Sequence, residues 1–262
     1  MEQTERPLVS IIVVTFNARD YVQRCFDSIR AHTHRPYELV VIDNASREET
    51  RSYLCEQTDF KLILNDENVL WCRGCNQGIA AANPSAPYTL LLNPDVEILR
   101  SDWIDIMLSV MESDPRVGMV GPHHRYSGIG PVWGSLDGHC ILFRRKMIEE
   151  LGPFDCGRFP MAGAPSHYTI RAYKAGWIYK VLHSKDTILI HHGDKSREDA
   201  PTSAVRKVAR PNHVALLQEE GIAPDYPSGL RRSLDRRFAA IRNFRRFYAA
   251  SRVTSSPKRA SD

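Results

Sequence analysis

The 262-residue sequence has no long hydrophobic run, no leader-like start and no internal repeat. No segment reaches the roughly 18 uninterrupted apolar residues that a membrane-spanning helix needs. The first ten residues, MEQTERPLVS, lack the basic and then apolar segments of a secretory signal. These absences argue against an integral membrane or repeat protein, so we expect a globular chain in the cytoplasm.

Cysteine is sparse and the net charge is low. Six cysteines scattered along the chain fit reduced thiols better than a disulfide framework. Two of them form the pattern CRGC at 72–75, but no second ligand pair for a zinc site is evident. The net charge of +4 is too small to indicate a nucleic-acid partner, and none is expected.

The positive charge is concentrated near the C-terminus, where residues 231–246 contain seven arginines and one acid. Between residues 230 and 248, large apolar residues recur at intervals of three and four, which predicts a basic amphipathic helix. Such a helix can lie on an anionic membrane surface. It can equally pack on its own domain with its arginines in solvent.

The first hundred residues alternate between apolar runs and helical patterns. The apolar, β-branched runs predict buried strands at 8–16, 38–44, 61–65 and 88–93. Helical periodicity predicts helices at 21–30, 46–54 and 74–83. The second helix would be opened by a capping box of Ser46 and Glu49. This alternation indicates βαβ units, so we expect an α/β fold with a Rossmann-like, mostly parallel sheet flanked by helices.

The carboxyl ends of the predicted strands carry polar and acidic residues, and ligands of open α/β sheets bind at these ends. Asp95 and Glu97 follow the fourth strand on an expected loop, where they could bind a divalent cation bridging to a diphosphate, or cap a helix. Asp43 ends the second strand, where it could bind a ribose or base, or form an Asx turn with Asn44. The glycines of GCNQG (74–78) would place a helix N-terminus, which favours phosphate, at the same edge.

Four segments in a set order resemble one enzyme family. They are VVTFNA (13–18), VVIDNAS (40–46), NVLWCRGCNQG (68–78) and LLLNPDVEI (90–98). Their order resembles the family 2 glycosyltransferases, which have the GT-A fold, and most closely the rhamnosyltransferase-like branch, with NPD in place of a full DxD motif. The resemblance continues through RRKMIEELGPFD, RAYKAGW and IHHGDKS, and so covers roughly residues 8–200.

The resemblance implies a division of the chain. A GT-A domain at 1–202 would have a donor half at 1–100 and an acceptor half at 101–202. The second half is less regular: a helix is predicted at about 101–113, and the runs at 117–122, 138–145 and 177–192 predict strands of a mixed sheet. A helix ending at Gly176 precedes the last run. A helical C-terminal extension is expected at 203–252, and a disordered tail at 253–262.

The resemblance also implies how a nucleotide-sugar donor, linked to UDP, dTDP or GDP, is bound. Positions that hold the nucleoside correspond to Thr15, Phe16, Asn17 and Asp43. The stretch that lies against the donor corresponds to Arg73, Gly74 and Asn76.

A metal site is implied as well, for Mg²⁺ or Mn²⁺. Asn93 occupies the place of the first acid of the DxD motif, and Asp95 that of the metal-binding aspartate. His191, in the pattern HxGxxS, matches a histidine that approaches the metal or the diphosphate. His192 would take that role if the register slips by one.

The largest departure from the family concerns the catalytic base. Relatives commonly carry an acidic pair about a dozen residues before AGW, and here that pair falls on Ala164 and Pro165, neither of which can take a proton. His167 could serve as the base, because an imidazole titrates near neutral pH. Asp155 or Asp137 could instead reach the acceptor from a neighbouring loop.

The implied function is inverting transfer of a sugar to a hydroxyl of a surface polysaccharide, lipopolysaccharide or lipid-linked glycan. Membrane association through 230–248 would place such an enzyme on the inner face of the membrane. The alternative is a catalytically silent sugar-nucleotide-binding partner or regulator, which the loss of the acidic pair favours. A nucleotidyltransferase is less consistent with the sequence, because no glycine-rich, lysine-bearing loop lies near the N-terminus.

Overall fold

A computed structural model of the chain describes residues 8–122, 136, 138–161, 163–182, 187–193, 215–216 and 219. Strands and helices alternate through the first half as β1 (Val9–Thr15), α1 (Arg19–His32), β2 (Tyr37–Asp43), α2 (Glu48–Cys55), β3 (Lys61–Leu64), α3 (Leu70–Ala81) and β4 (Tyr88–Leu92). The second half contains β5 (Val96–Ile98), α4 (Trp103–Met111), β6 (Val117–Pro122), β7 (Cys140–Arg144), α5 (Arg145–Leu151), α6 (Ala164–Lys174), β8 (Ile178–Leu182) and β9 (Leu189–His191). The predicted α/β alternation is confirmed.

Seven strands form one sheet in the order β3-β2-β1-β4-β7-β6-β8. β7 is antiparallel to its neighbours β4 and β6, and the other neighbouring pairs are parallel. The mostly parallel sheet is therefore confirmed. Thr15 lies beside Asp43 in the register of β1 and β2, so the ends of these strands meet at one edge of the sheet.

The inner strand β1 is buried at all seven positions because helices cover both faces of the sheet. Val9, Ile11 and Val13 belong to one core, together with side chains of α1 and α4. Ile12 and Val14 belong to the opposite core, with side chains of α3, α5 and α6. Burial on both faces explains why this strand has a continuous apolar sequence rather than an alternating one.

The capping box predicted for α2 is wrong. The helix begins at Glu48 with Arg47 as its N-cap residue, and it has no side-chain cap. The Ser46 hydroxyl donates to the carboxylate of Asp43 instead, at 2.5 Å. A hydrogen bond to a buried carboxylate is stronger than one to a neutral backbone group. The Ser46 hydroxyl therefore binds Asp43 and does not cap α2.

Two predictions about the strand ends are also corrected. The acidic segment after β4 is not a loop throughout, because residues 96–98 form β5, which pairs with β9 in a separate two-stranded sheet. The apolar run at 177–192 is two strands, β8 and β9, which lie in different sheets. Local periodicity does not reveal pairing between segments so far apart in the chain.

Helix α3 begins at Leu70, four residues before the predicted start at Gly74. The side-chain oxygen of Asn68 accepts the Leu70 N–H at 2.9 Å. Leu70 has a φ of +71°, a left-handed conformation that costs a residue other than glycine roughly 1 kcal/mol or more. The first turn of this helix is therefore strained.

We expect Leu70→Gly to have a free energy of unfolding about 1 kcal/mol higher than Leu70→Ala. Both variants remove the same side chain, but only glycine relieves the backbone strain. Chemical denaturation of the two variants measures the difference. Equal stabilities would show that the positive φ at this residue carries no cost.

The predicted helical extension and tail lie outside the described residues, except for Ala215, Leu216 and Glu219. Leu216 is buried in the core that contains α6. Glu219 forms an ion pair with Arg158, with 2.6 Å between Oε1 and Nη2. This short part of the chain therefore packs on the domain. Among the described residues, no helix is long and apolar enough to cross a membrane.

Candidate active site at the carboxyl edge of the sheet

The ends of β1 and β2 are joined by hydrogen bonds to Asp43. Thr15 Oγ1 donates to Asp43 Oδ1 at 3.0 Å, and Ser46 Oγ donates to the same oxygen at 2.5 Å. The Ser46 N–H donates to Oδ2 at 3.1 Å. Asp43 is 0% exposed, so its carboxylate holds the two strand ends together from inside the protein.

Asn17, which follows β1, makes two further hydrogen bonds at the same strand ends. Its backbone N–H donates to Ser46 Oγ, and its Oδ1 accepts the Arg47 N–H, both at 2.8 Å. We call Thr15, Phe16, Asn17, Asp43 and Ser46 the β1–β2 corner. The structure thus brings the four residues predicted to hold a nucleoside together. The Asp43 carboxylate accepts hydrogen bonds from the protein, as in the local turn that was the alternative to ligand binding.

Three amide side chains next to the corner form a network that the sequence did not predict. Asn65 Nδ2 donates to Asn44 Oδ1 and to Gln77 Oε1, both at 2.9 Å. Gln77 Nε2 donates back to Asn65 Oδ1 at 3.0 Å. The network joins the ends of β2 and β3 to α3. The strand-end positions of Asn44 and Asn65 were a usable signal, whereas Gln77, inside a helix, has none.

The segment after β4 brings Asp95 against His191 of β9. Nε2 of His191 lies 3.1 Å from Oδ1 of Asp95, which is only 4% exposed. The ring of His139 stacks on that of His191 at 5.0 Å, and the His139 carbonyl accepts the Asn93 N–H at 2.9 Å. The two predicted metal-site residues, Asp95 and His191, therefore lie together. His139 was missed, because a histidine just before a buried strand has no distinguishing pattern.

Glu97 and His192 form a second pair, separate from the first. Nε2 of His192 lies 3.0 Å from Oε2 of Glu97, and the Tyr21 ring lies 5.5 Å from the His192 ring. Successive side chains of an extended segment point to opposite sides, so only one of the two histidines reaches Asp95. In the register of β5 and β9, His191 lies opposite Val96, and the Asp95 carbonyl accepts the His192 N–H. The side-chain contacts nevertheless pair His191 with Asp95 and His192 with Glu97.

Asp95 and His191 supply a partial ligand set for a cation. Within the residues that the structure describes, no three His, Cys, Asp or Glu side chains form a preformed metal site. A cation that binds with a nucleotide substrate commonly takes one or two protein ligands and completes its shell with phosphate oxygens and water. A carboxylate with an imidazole fits Mn²⁺ well, and fits Mg²⁺ mainly through the carboxylate.

A tryptophan and the start of α6 lie close to Asn93 and Gly138, which are chain neighbours of Asp95 and His139. Trp71 Nε1–H donates to Asn93 Oδ1 at 3.2 Å. A methyl group on Gly138 would lie 3.2 Å from Trp71 Cζ2 and 3.1 Å from Pro165 Cγ, so Gly138 lies between the indole and α6. Ala164 and Pro165, at the positions of the relatives' acidic pair, are the first two residues of α6.

The residues predicted from the CRGCNQG motif are spread around α3. Gly74 lies inside the helix, where a Cβ would be 2.7 Å from Val14 Cγ1, so the predicted helix N-terminus at Gly74 is wrong and this glycine allows close packing on β1. The Asn76 amide donates to the Phe154 carbonyl and accepts the Phe154 N–H, both at 3.0 Å. Arg73 is exposed.

Both cysteines of CRGC are buried. All six cysteines lie in the described part of the chain, and all are free. Burial raises the pKa of Cys72 and of Cys75 above the ordinary range of a thiol. Cys72 Sγ lies 2.7 Å from Cys156 Sγ, so these side chains pack α3 against the loop that follows α5.

The three candidate bases differ in their surroundings. His167 lies on the second turn of α6, with its ring 4.8 Å from that of Phe159. Asp155 is exposed, and its Oδ1 accepts the Arg158 N–H at 3.1 Å within a turn. Asp137 lies outside the described residues.

Comparison with known proteins agrees with this architecture. The family model described as "Glycosyl transferase family 2" matches residues 10–159, and the chain belongs to this family. The match spans β1 to the loop after α5 and includes the β1–β2 corner and Asp95. Similar solved structures have the GT-A fold. One is the mannosyltransferase PcManGT from Pyrobaculum calidifontis in complex with GDP-Man and Mn²⁺, with a TM-score of 0.56 and 20% identity, covering 94% of this chain and 84% of that one.

Two sequence relatives show what the chain resembles. It is 28% identical to the O-antigen biosynthesis protein RfbC of Myxococcus xanthus over 73% of this chain, but it spans only 18% of that protein. It is 23% identical to an N-acetylglucosaminyl-diphospho-decaprenol L-rhamnosyltransferase of Mycobacterium tuberculosis, over 75% of this chain and 80% of the relative.

Proposed function

We propose that the protein transfers a sugar, with inversion, from a nucleotide-sugar donor to a hydroxyl group of a surface polysaccharide, lipopolysaccharide or lipid-linked glycan. The observation that carries the proposal is the contact between Asp95 and His191, 3.1 Å apart beside the end of β4. The β1–β2 corner is at the same edge of the sheet, because β1 lies between β2 and β4 in parallel register.

This placement suggests a role for each group of residues. The β1–β2 corner would bind the nucleoside, and the buried Asp43 would hold the residues of the corner in place through its hydrogen bonds. Asp95 and His191 would hold Mg²⁺ or Mn²⁺, which supplies positive charge that stabilises the leaving diphosphate. Asn93 leaves the first position of the DxD motif without a negative charge, so Asp95 would be the principal anionic ligand.

Inversion also needs a group that takes the proton of the attacking hydroxyl. Ala164 and Pro165 provide none, and we propose that His167, also near the start of α6, takes this role. Asp155 and Asp137 are the alternatives.

Replacing His167 with glutamine is expected to lower kcat about 10²-fold or more, because an amide cannot take a proton, while donor affinity stays within about twofold. Asp155→Asn is the matched control and should change kcat less than about threefold. Steady-state kinetics with the best donor and acceptor measure both. A large loss of kcat in Asp155→Asn but not in His167→Gln would assign the base to Asp155. An unchanged kcat in both variants would leave Asp137 as the base.

The acceptor proposal is supported by the relatives. One takes part in O-antigen biosynthesis, and the name of another specifies a diphospho-decaprenol substrate. A lipid-linked acceptor would suit a protein that lies on the inner membrane surface through the basic segment 230–248, which lies outside the described residues.

The proposal is tested with the purified chain and a panel of UDP-, dTDP- and GDP-linked sugars, with Mn²⁺, Mg²⁺ or a chelator. Isothermal titration measures donor binding, and release of the nucleoside diphosphate measures turnover on polyprenyl-diphosphate-linked or short polysaccharide acceptors. We expect one donor family to bind and turn over only with metal.

A catalytically silent sugar-nucleotide-binding protein is the second candidate, and Ala164 with Pro165 is the observation that favours it. Metal-dependent binding without turnover on any acceptor would support it. Absence of nucleotide binding would overturn both candidates.

A further inference from the structure

Trp71 presents an apolar surface beside the proposed metal site. Its one polar atom, Nε1, already donates to Asn93 Oδ1 at 3.2 Å, and its ring meets Phe154 edge-on with 5.9 Å between centroids. Trp71 is nevertheless only partly buried. Because its N–H is already satisfied by Asn93, the side chain has only aromatic carbon left to offer a ligand.

The indole is close to two functional parts of the edge. Its N–H donates to Asn93, whose backbone N–H donates to the His139 carbonyl, and the His139 ring stacks on His191. Gly138, the residue before His139, lies between the indole and α6, because a Cβ there would be 3.2 Å from Trp71 Cζ2 and 3.1 Å from Pro165 Cγ. Trp71 is therefore close both to the group that would hold the diphosphate and to the start of α6.

We propose that Trp71 is a specificity-determining wall for the transferred sugar, and that Asn93 positions its indole. The inference rests on the proposed function, because it takes the diphosphate to lie at Asp95 and the acceptor at α6. The sugar ring must then lie between the two. A pyranose presents C–H groups on its faces, and an aromatic ring that buries such a face gains apolar contact and dispersion energy.

Asn93 gains a role in this arrangement. At the place of the first DxD acid, it uses its amide oxygen to hold an N–H, whereas a metal ligand would need that oxygen for the cation. The asparagine that replaces the first DxD acid is therefore the residue that positions the Trp71 indole. Trp71 would contact the sugar directly, and Asn93 would affect sugar binding only by holding Trp71 in place.

The test compares a nucleotide sugar with its own nucleoside diphosphate by isothermal titration in MnCl₂. The probes are UDP-glucose with UDP, dTDP-rhamnose with dTDP, and GDP-mannose with GDP, and the pair that the wild type binds most tightly is used. We expect Trp71→Ala to weaken nucleotide-sugar binding about tenfold and the diphosphate less than about twofold. Trp71→Phe, which keeps an apolar ring, should lose less than about threefold.

Two further variants separate positioning from folding. Asn93→Asp keeps an acceptor for the indole N–H and should retain the preference for the sugar better than Asn93→Ala. Trp177→Ala is the control for loss of a partly buried tryptophan elsewhere, since Trp177 packs near Gly118 of β6, and it should leave the ratio of the two affinities unchanged.

The inference would be overturned if Trp71→Ala weakened the binding of the nucleotide sugar and of the diphosphate equally, or if it changed neither affinity. Trp71 would then be a packing residue. Binding with the expected ratio but no turnover would support the wall while refuting transfer, and no nucleotide binding at all would refute both.

Discussion

Asp95→Ala is expected to lower turnover on the order of 10³-fold, a larger loss than we expect from any other variant proposed for this chain. The structure places this carboxylate against His191 at the end of β4. Without it, a cation would not be held where the leaving diphosphate needs positive charge. Measurement of kcat at saturating Mn²⁺, together with the affinity for Mn²⁺ and diphosphate, tests this.

Glu97→Gln is the matched control for Asp95→Ala. Glu97 is a carboxylate two residues away that pairs with His192, and a glutamine oxygen can keep that contact. We expect turnover within about threefold of the wild type, because a partly exposed pair contributes little. Equal losses in both variants would mean that the two acids act together, as the sequence alone allowed.

Asp43→Ala is expected to have the second largest effect, on folding and nucleotide binding together. It would leave the hydroxyls of Thr15 and Ser46 and the Ser46 N–H without their common acceptor in a buried place. The expected loss is about 3 kcal/mol in the free energy of unfolding. For a chain of this size, that lowers Tm by roughly 6–12 °C, which calorimetry measures.

Ser46→Ala is the control for Asp43→Ala. It removes one donor but leaves the carboxylate with Thr15 and the backbone N–H, so we expect a loss of about 1 kcal/mol. Nucleotide affinity at a temperature where both variants are folded separates the two roles of Asp43. Unchanged stability in Asp43→Ala would contradict its place at the centre of the corner.

The sheet could be predicted because its strands are buried on both faces. A strand such as β1, covered by α1 and α4 on one side and α3 on the other, must be apolar at every position, and that signal is visible in the sequence. The edge where the strands end, and therefore the positions of Thr15, Asp43 and Asp95, follows from the same pattern.

What could not be predicted depends on burial and on partners distant in the chain. Nothing near Ser46 shows that it will bind Asp43 rather than cap α2, since both choices are local and only burial of the carboxylate decides between them. The contact of Trp71 with Asn93 and the pairing of β5 with β9 could not be predicted because they join segments far apart in the chain. Gly74 was predicted to start a helix, because the sequence does not show that a Cβ at this position would collide with Val14 of β1.

The position of the bound metal tests the central claim most directly. A crystal grown with MnCl₂ and the nucleoside diphosphate that binds best, measured for anomalous scattering from manganese, would locate the ion without reference to activity. We predict one strong peak within about 2.3 Å of an Asp95 carboxylate oxygen, in contact with the diphosphate, and the nucleoside at the β1–β2 corner. A peak away from Asp95, or a nucleotide bound at another edge of the sheet, would contradict the account.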